Sequence, residues 1–72
     1  MSDLSRKDFE IEVAKAFADY CQEPIEEWIE YAQEIVADDL KSNKIEYGDP
    51  EYSWDAEAAK ELADMDISYW EG

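Results

Sequence analysis

The 72-residue chain carries 21 acids and 6 bases, a net charge of −15, and a single domain of that size has little interior to spare. A small-molecule pocket of ~300 Å³ or more would consume much of that core, which speaks against an enzyme with a deep active site. With no histidine in the sequence, imidazole-dependent triads and His-containing zinc sites are excluded.

The 46% hydrophobic and 14% aromatic content favours a folded chain over a charged disordered one. Cys21 is the one cysteine, so no intramolecular disulfide can form. The N-terminus MSDLSRKDF lacks the apolar core of a signal peptide. No apolar run approaches the ~18 residues of a membrane span, and an anionic surface is repelled by anionic lipid. The expectation is a soluble intracellular protein without cofactor or membrane contact. A core this small also leaves room for stabilisation by a partner or as a homodimer.

Helix 1 is expected over 5–21. Ser5 is the candidate N-cap, Asp8 follows three residues later, and Leu4 and Phe9 stand at the hydrophobic-staple positions. Its apolar face is Phe9, Val13, Ala16, Phe17 and Tyr20, with Ala14 and Cys21 beside it. Pro24 ends the pattern and restarts it at a position favoured for a first helical turn, with Glu26 and Glu27 at the positive end of the dipole. Helix 2 is expected over 24–42, burying Ile25, Trp28, Ile29, Ala32, Ile35, Val36 and Leu40, with Asn43 as a cap. Residues 43–53 form the loop, where Gly48, Asp49 and Pro50 cluster as a turn and Ile45 to Tyr47 could form a short extended piece. Helix 3 starts at Asp49 or Ser53, and its buried face is Trp54, Ala58, Leu62 and Met65 with Ala59 and Ala63 alongside. The tail 66–72 either prolongs this helix, the preferred reading, or pairs as a strand with 45–47. The fold class expected is therefore all-α: one compact three-helix domain over 1–72, with a short loop before the third helix.

The stretch from 23 to 40 holds seven acids and no base. Glu23, Glu27, Glu30, Glu34 and Asp38 recur every three or four residues, a repeat of ~5–6 Å along a helix. Duplex DNA places a phosphate every ~3.4 Å of axis on each strand, within a factor of two of that density. Glu57, Glu61 and Asp64 make a second row on helix 3. A charge run is ordinarily a solvated face. From residue 23 onward, however, 16 acids meet 3 bases, well beyond the net charge of ~2–8 that keeps a small domain soluble. Such crowding costs stability through self-repulsion, so a basic binding partner explains it better than solubility alone. Tyr31, within the helix 2 row, is the candidate anchor.

Other chemistry is weaker. Asp64, Asp66 and Ser68 resemble the start of a calcium loop, but Tyr69 stands where glycine is required, so no metal site is expected. Carboxylate pairs for general acid–base work arise by chance among so many acids, and Cys21 lacks a histidine partner; no catalytic residue is assigned.

A very small, helical, strongly acidic chain without histidine or catalytic motif, rich in Tyr and Trp, resembles the DNA-mimic inhibitors of bacteriophages and mobile elements, including antirestriction and anti-CRISPR proteins. The resemblance covers the character of the whole chain and carries over no functional residue. It implies an inhibitor in the bacterial host cytoplasm that occupies the basic nucleic-acid groove of a CRISPR or restriction effector, without binding nucleic acid itself. The alternative expectation is a small acidic adaptor that meets a protein partner through exposed aromatics.

Overall fold

The computed structural model describes residues 3–71, the side chain of residue 71 excepted, and shows three α-helices: α1 (Arg6–Cys21), α2 (Ile29–Asn43) and α3 (Ala56–Glu71). The all-α fold expected from the sequence is what forms. Among the described residues there is no strand, so the expected extended piece at 45–47 is replaced by a turn beginning at Tyr47.

Helix α1 begins as its sequence dictates. Ser5 is in extended conformation and its Oγ accepts the Asp8 backbone N–H at 3.2 Å, satisfying one of the donors a helix start leaves open. It ends where Gln22 turns into the left-handed region at φ 57°. The Gln22 and Glu23 amides both donate to the Ala18 carbonyl, a double closure of the last turn.

Regular helix in the second element starts later than the proline suggests. Pro24 is extended, residues Ile25–Glu27 form one 3₁₀ turn, and α2 begins at Ile29. The cause lies in Trp28, at φ −110° and ψ −5° between the two segments. Its ring stacks on Phe17 at 5.3 Å and its indole N–H donates to Glu23 Oε1 at 2.9 Å. Fixing that ring against α1 tightens the approach and displaces the helix start. At the far end Lys44, not Asn43, takes the left-handed position at φ 56°, while the Asn43 amide donates back to the Asp39 carbonyl at 2.9 Å.

The connection 45–55 is held at several points. Asp49 Oδ1 accepts the Glu51 amide at 2.9 Å, and the Asp49 carbonyl accepts the Trp54 indole N–H at 2.9 Å. The segment clasps the start of α1: Leu4 N–H donates to the Trp54 carbonyl at 2.9 Å, and Tyr47 Oη donates to the Leu4 carbonyl at 2.6 Å. Asp49 being occupied in this turn, neither it nor Ser53 caps the third helix. Asp55 does, its Oδ1 accepting the Ala58 amide at 2.9 Å. Helix α3 then runs through the tail, which settles 66–71 as helix; residue 72 lies outside the described residues.

Helix α1 is the central element. It packs most extensively on α3 and next on α2, while the backbones of α2 and α3 nowhere approach within 8 Å at Cα. The core joins Phe9, Val13, Ala14 and Phe17 of α1 to Ala32, Val36 and Leu40 of α2 and to Ala59, Ala63 and Ile67 of α3, with Trp54. The α3 seam is thus an alanine-lined strip one step round from the expected face. Ala58 and Leu62 are half-buried at its margin, and Met65 is 56% exposed. Tyr20, also expected inside, is 51% exposed, its ring 6.3 Å from Trp70 near the ends of α1 and α3.

Candidate partner-binding surface

Helix α2 buries Ala32, Val36 and Leu40, so positions a half-turn away project into solvent. Those positions are Glu30, Glu34 and Asp38, all exposed, and Glu27 continues the line through the 3₁₀ turn. Glu27, Glu30 and Glu34 line one shallow open depression together with Tyr31 and Gln33. None of the four carboxylates has a hydrogen-bond or ion-pair partner among the described residues. Lys41, one turn beyond, closes the row with a base.

Two expected members of this row have structural work. Glu23 lies in the loop before the 3₁₀ turn, and its carboxylate accepts the Trp28 indole N–H. Tyr31 is half-buried; its hydroxyl donates to Asp66 Oδ2 on α3 at 2.6 Å. This strut crosses the gap that the α2 and α3 backbones leave open. Burial first, then the Asp66 carboxylate, raises the Tyr31 pKa above its ordinary value. Burial, followed by the field of Asp3, Asp8 and Glu10, does the same for Tyr47. Each phenol is held neutral because its charged form would be desolvated and would face carboxylates.

The α3 row is divided. Glu57 and Asp64 border a depression shared with Glu12, Lys15 and Asp19 of α1, in which Lys60 also lies. Glu61 borders a different one, facing α2. The second row therefore does not extend the first into one sheet of charge, and Lys15 and Lys60 dilute its α1 side. The one ion pair within 4 Å among the described residues is Arg6–Glu10, at 3.1 Å.

The aromatics gather in two clusters. Phe17, Trp28, Tyr31 and Trp70 pack at one end, with Phe17 and Trp70 stacked at 5.4 Å. Phe9, Tyr47 and Trp54 pack at the other, Tyr47 and Trp54 being 4.4 Å apart. Tyr69 is left outside both at 79% exposure. Asp66, which anchors the Tyr31 strut, enters the sequence reading only within the rejected calcium-loop fragment; its spacing carries no signal of a partner across the fold. Asp64, Asp66 and Ser68, the calcium-loop fragment, lie in regular helix. Among the described residues no three metal-type side chains converge, and no helix is long and apolar enough to cross a membrane.

Compared with protein-family models, curated proteins and solved structures, the chain matches none, so its surface is read from its own residues.

Proposed function

We propose that this protein is a DNA mimic that binds the basic nucleic-acid groove of a bacterial defence effector, a CRISPR or restriction complex, and blocks it sterically. The observation that carries the reading is the outward row Glu27, Glu30, Glu34 and Asp38, four exposed carboxylates with no partner among the described residues. On α2 the spacing from Glu30 to Glu34 to Asp38 is ~6 Å per step. Lysines and arginines that meet phosphates in such a groove would meet these carboxylates instead, and the field of a chain with net charge −15 would steer the encounter. The choice of a defence effector follows from the likeness to phage-borne mimics. The mechanism asks for no chemistry, only occupancy.

Phage plating on hosts that carry a restriction or CRISPR system tests the proposal. Expression of the chain should restore plaques, and the purified protein should compete with DNA for the effector. The triple variant Glu27→Lys, Glu30→Lys, Glu34→Lys should lose both effects with its helix content intact, because Lys and Glu have similar helix propensity. The control Lys7→Glu, Lys15→Glu on α1 should keep both. Plating restored equally by wild type and triple variant, or restored by neither, overturns the proposal.

A further inference from the structure

Helices α2 and α3 both rest on α1 but stand more than 8 Å apart at Cα. Where the end of α2 faces the start of α3, the gap opens to solvent as a depression of about 390 Å³. Phe9 lies at its base, and Leu62 forms part of its wall. Met65 and Tyr52, 56% and 44% exposed, stand at its edges. The charged groups on its border are Asp39, Glu51 and Glu61, and no lysine or arginine lines it.

We propose that this cleft is a docking site for a cationic amphipathic helix of a partner protein. An apolar floor with exposed apolar edges calls for an apolar stripe, and methionine adapts to such stripes more readily than branched side chains do. The acidic border selects what flanks the stripe. A second copy of this chain would bring its own charge of −15 against Asp39, Glu51 and Glu61, a like-charge juxtaposition that disfavours pairing. Nucleic acid and anionic membrane fail for the same reason. A helix with leucine-like residues on one face and Lys or Arg on its flanks satisfies both features. The cleft shares no lining residue with the depression on the outer face of α2, so it stands or falls independently of the phosphate-row reading.

The test uses two synthetic peptides of ~18 residues, long enough to form a helix on binding. Both contain the same leucines and lysines, one with leucine at helical spacing and one with the order scrambled. Each is titrated into the isotope-labelled full chain at ~0.15 M salt, where unspecific charge attraction is screened. The amphipathic peptide should shift the amides of 39–43, 51–54 and 58–65, and bind at least about tenfold more tightly than the scrambled one. The surface variants Met65→Ser and Met65→Ser, Tyr52→Ser should abolish that advantage while keeping the wild-type circular dichroism. Equal binding of both peptides, shifts centred on Glu27 to Asp38, or variants that bind as wild type would overturn the proposal. Concentration-dependent dimerisation with shifts at the cleft would also overturn it, assigning the site to a second copy.

Discussion

Glu23 and Glu34 look equivalent in sequence, two carboxylates of one acidic row, but their truncation should move stability in opposite directions. Glu23 sits in a loop and accepts the Trp28 indole N–H at 2.9 Å. Glu23→Ala removes a charge-assisted hydrogen bond at an exposed edge and leaves helix propensity untouched, a loss of ~0.5–1.5 kcal/mol. For a domain of this size each kcal/mol corresponds to ~4–8 °C in Tm, so the melt should fall by ~2–12 °C. Glu34 is exposed in the middle of α2, away from the helix dipole's ends and without a partner among the described residues. Glu34→Ala replaces a good helix former with the best one and relieves the like-charge i,i+4 neighbours Glu30 and Asp38, so stability should rise by a few tenths of a kcal/mol. Thermal melts of the two variants beside wild type decide the matter, with Trp fluorescence as a second readout for loss of the Trp28 contact. Equal Tm shifts of the same sign would refute the assignment of Glu23 to the fold and return it to the row.

Two further outcomes follow from the backbone and from the phenols. Gln22 closes α1 at φ 57°, where a side chain costs ~1 kcal/mol that glycine does not incur; Gln22→Gly should raise stability by ~0.5–1 kcal/mol in a denaturant melt, while Gln22→Ala, still bearing a Cβ, should not. Tyr31 and Tyr47 are both shifted above the ordinary 10.0. A raised folded pKa means that stability is complete below pH ~10 and is lost as pH rises through the folded values, since the unfolded phenols release their protons first. Melts at pH ~8 and ~10.5 should show this fall, and Tyr31→Phe, though less stable at the lower pH, should show a shallower one.

Much of this architecture is legible in the sequence, and the limits of legibility have local causes. The start of α1 is written in Ser5 and Asp8, and the structure uses that cap as spaced. The start of α3 is less legible: the expected cap is Asp49 or Ser53, and Asp55, passed over in that expectation, can cap a helix as well. The choice falls to Asp55 because Trp54 and Glu51 tie Asp49 into a turn, contacts that no short-range pattern contains. Periodicity marks Met65 as buried, yet the apolar arc of α3 is wider than the strip that α1 covers. Spacing also fixes which acids share a face of one helix, but not how two helices are turned about their axes. For that reason the α2 row is legible, whereas the separation of Glu61 from Glu57 and Asp64 is not.

The division of labour among the carboxylates bears on whether the charge is incidental. Glu10 pairs with Arg6, Glu23 holds Trp28, Asp39 meets Asn43, Asp49 and Asp55 cap a turn and a helix, and Asp66 anchors Tyr31. Each of these six answers a backbone or side-chain donor, and three of them, Glu23, Asp49 and Asp55, stand outside the helices. Glu27, Glu30, Glu34 and Asp38 answer no donor among the described residues, and they stand in one line along the 3₁₀ turn and the outer face of α2. A chain selected only for solubility gains nothing from that alignment, because scattered charges of both signs serve as well and repel less. Alignment at helical spacing raises the local field and the repulsion together, so its cost to the isolated fold is recovered only when a cationic surface lies against it. The row therefore argues for binding on grounds separate from the total charge, and redistributing the same acids around α2 should weaken target affinity at constant net charge.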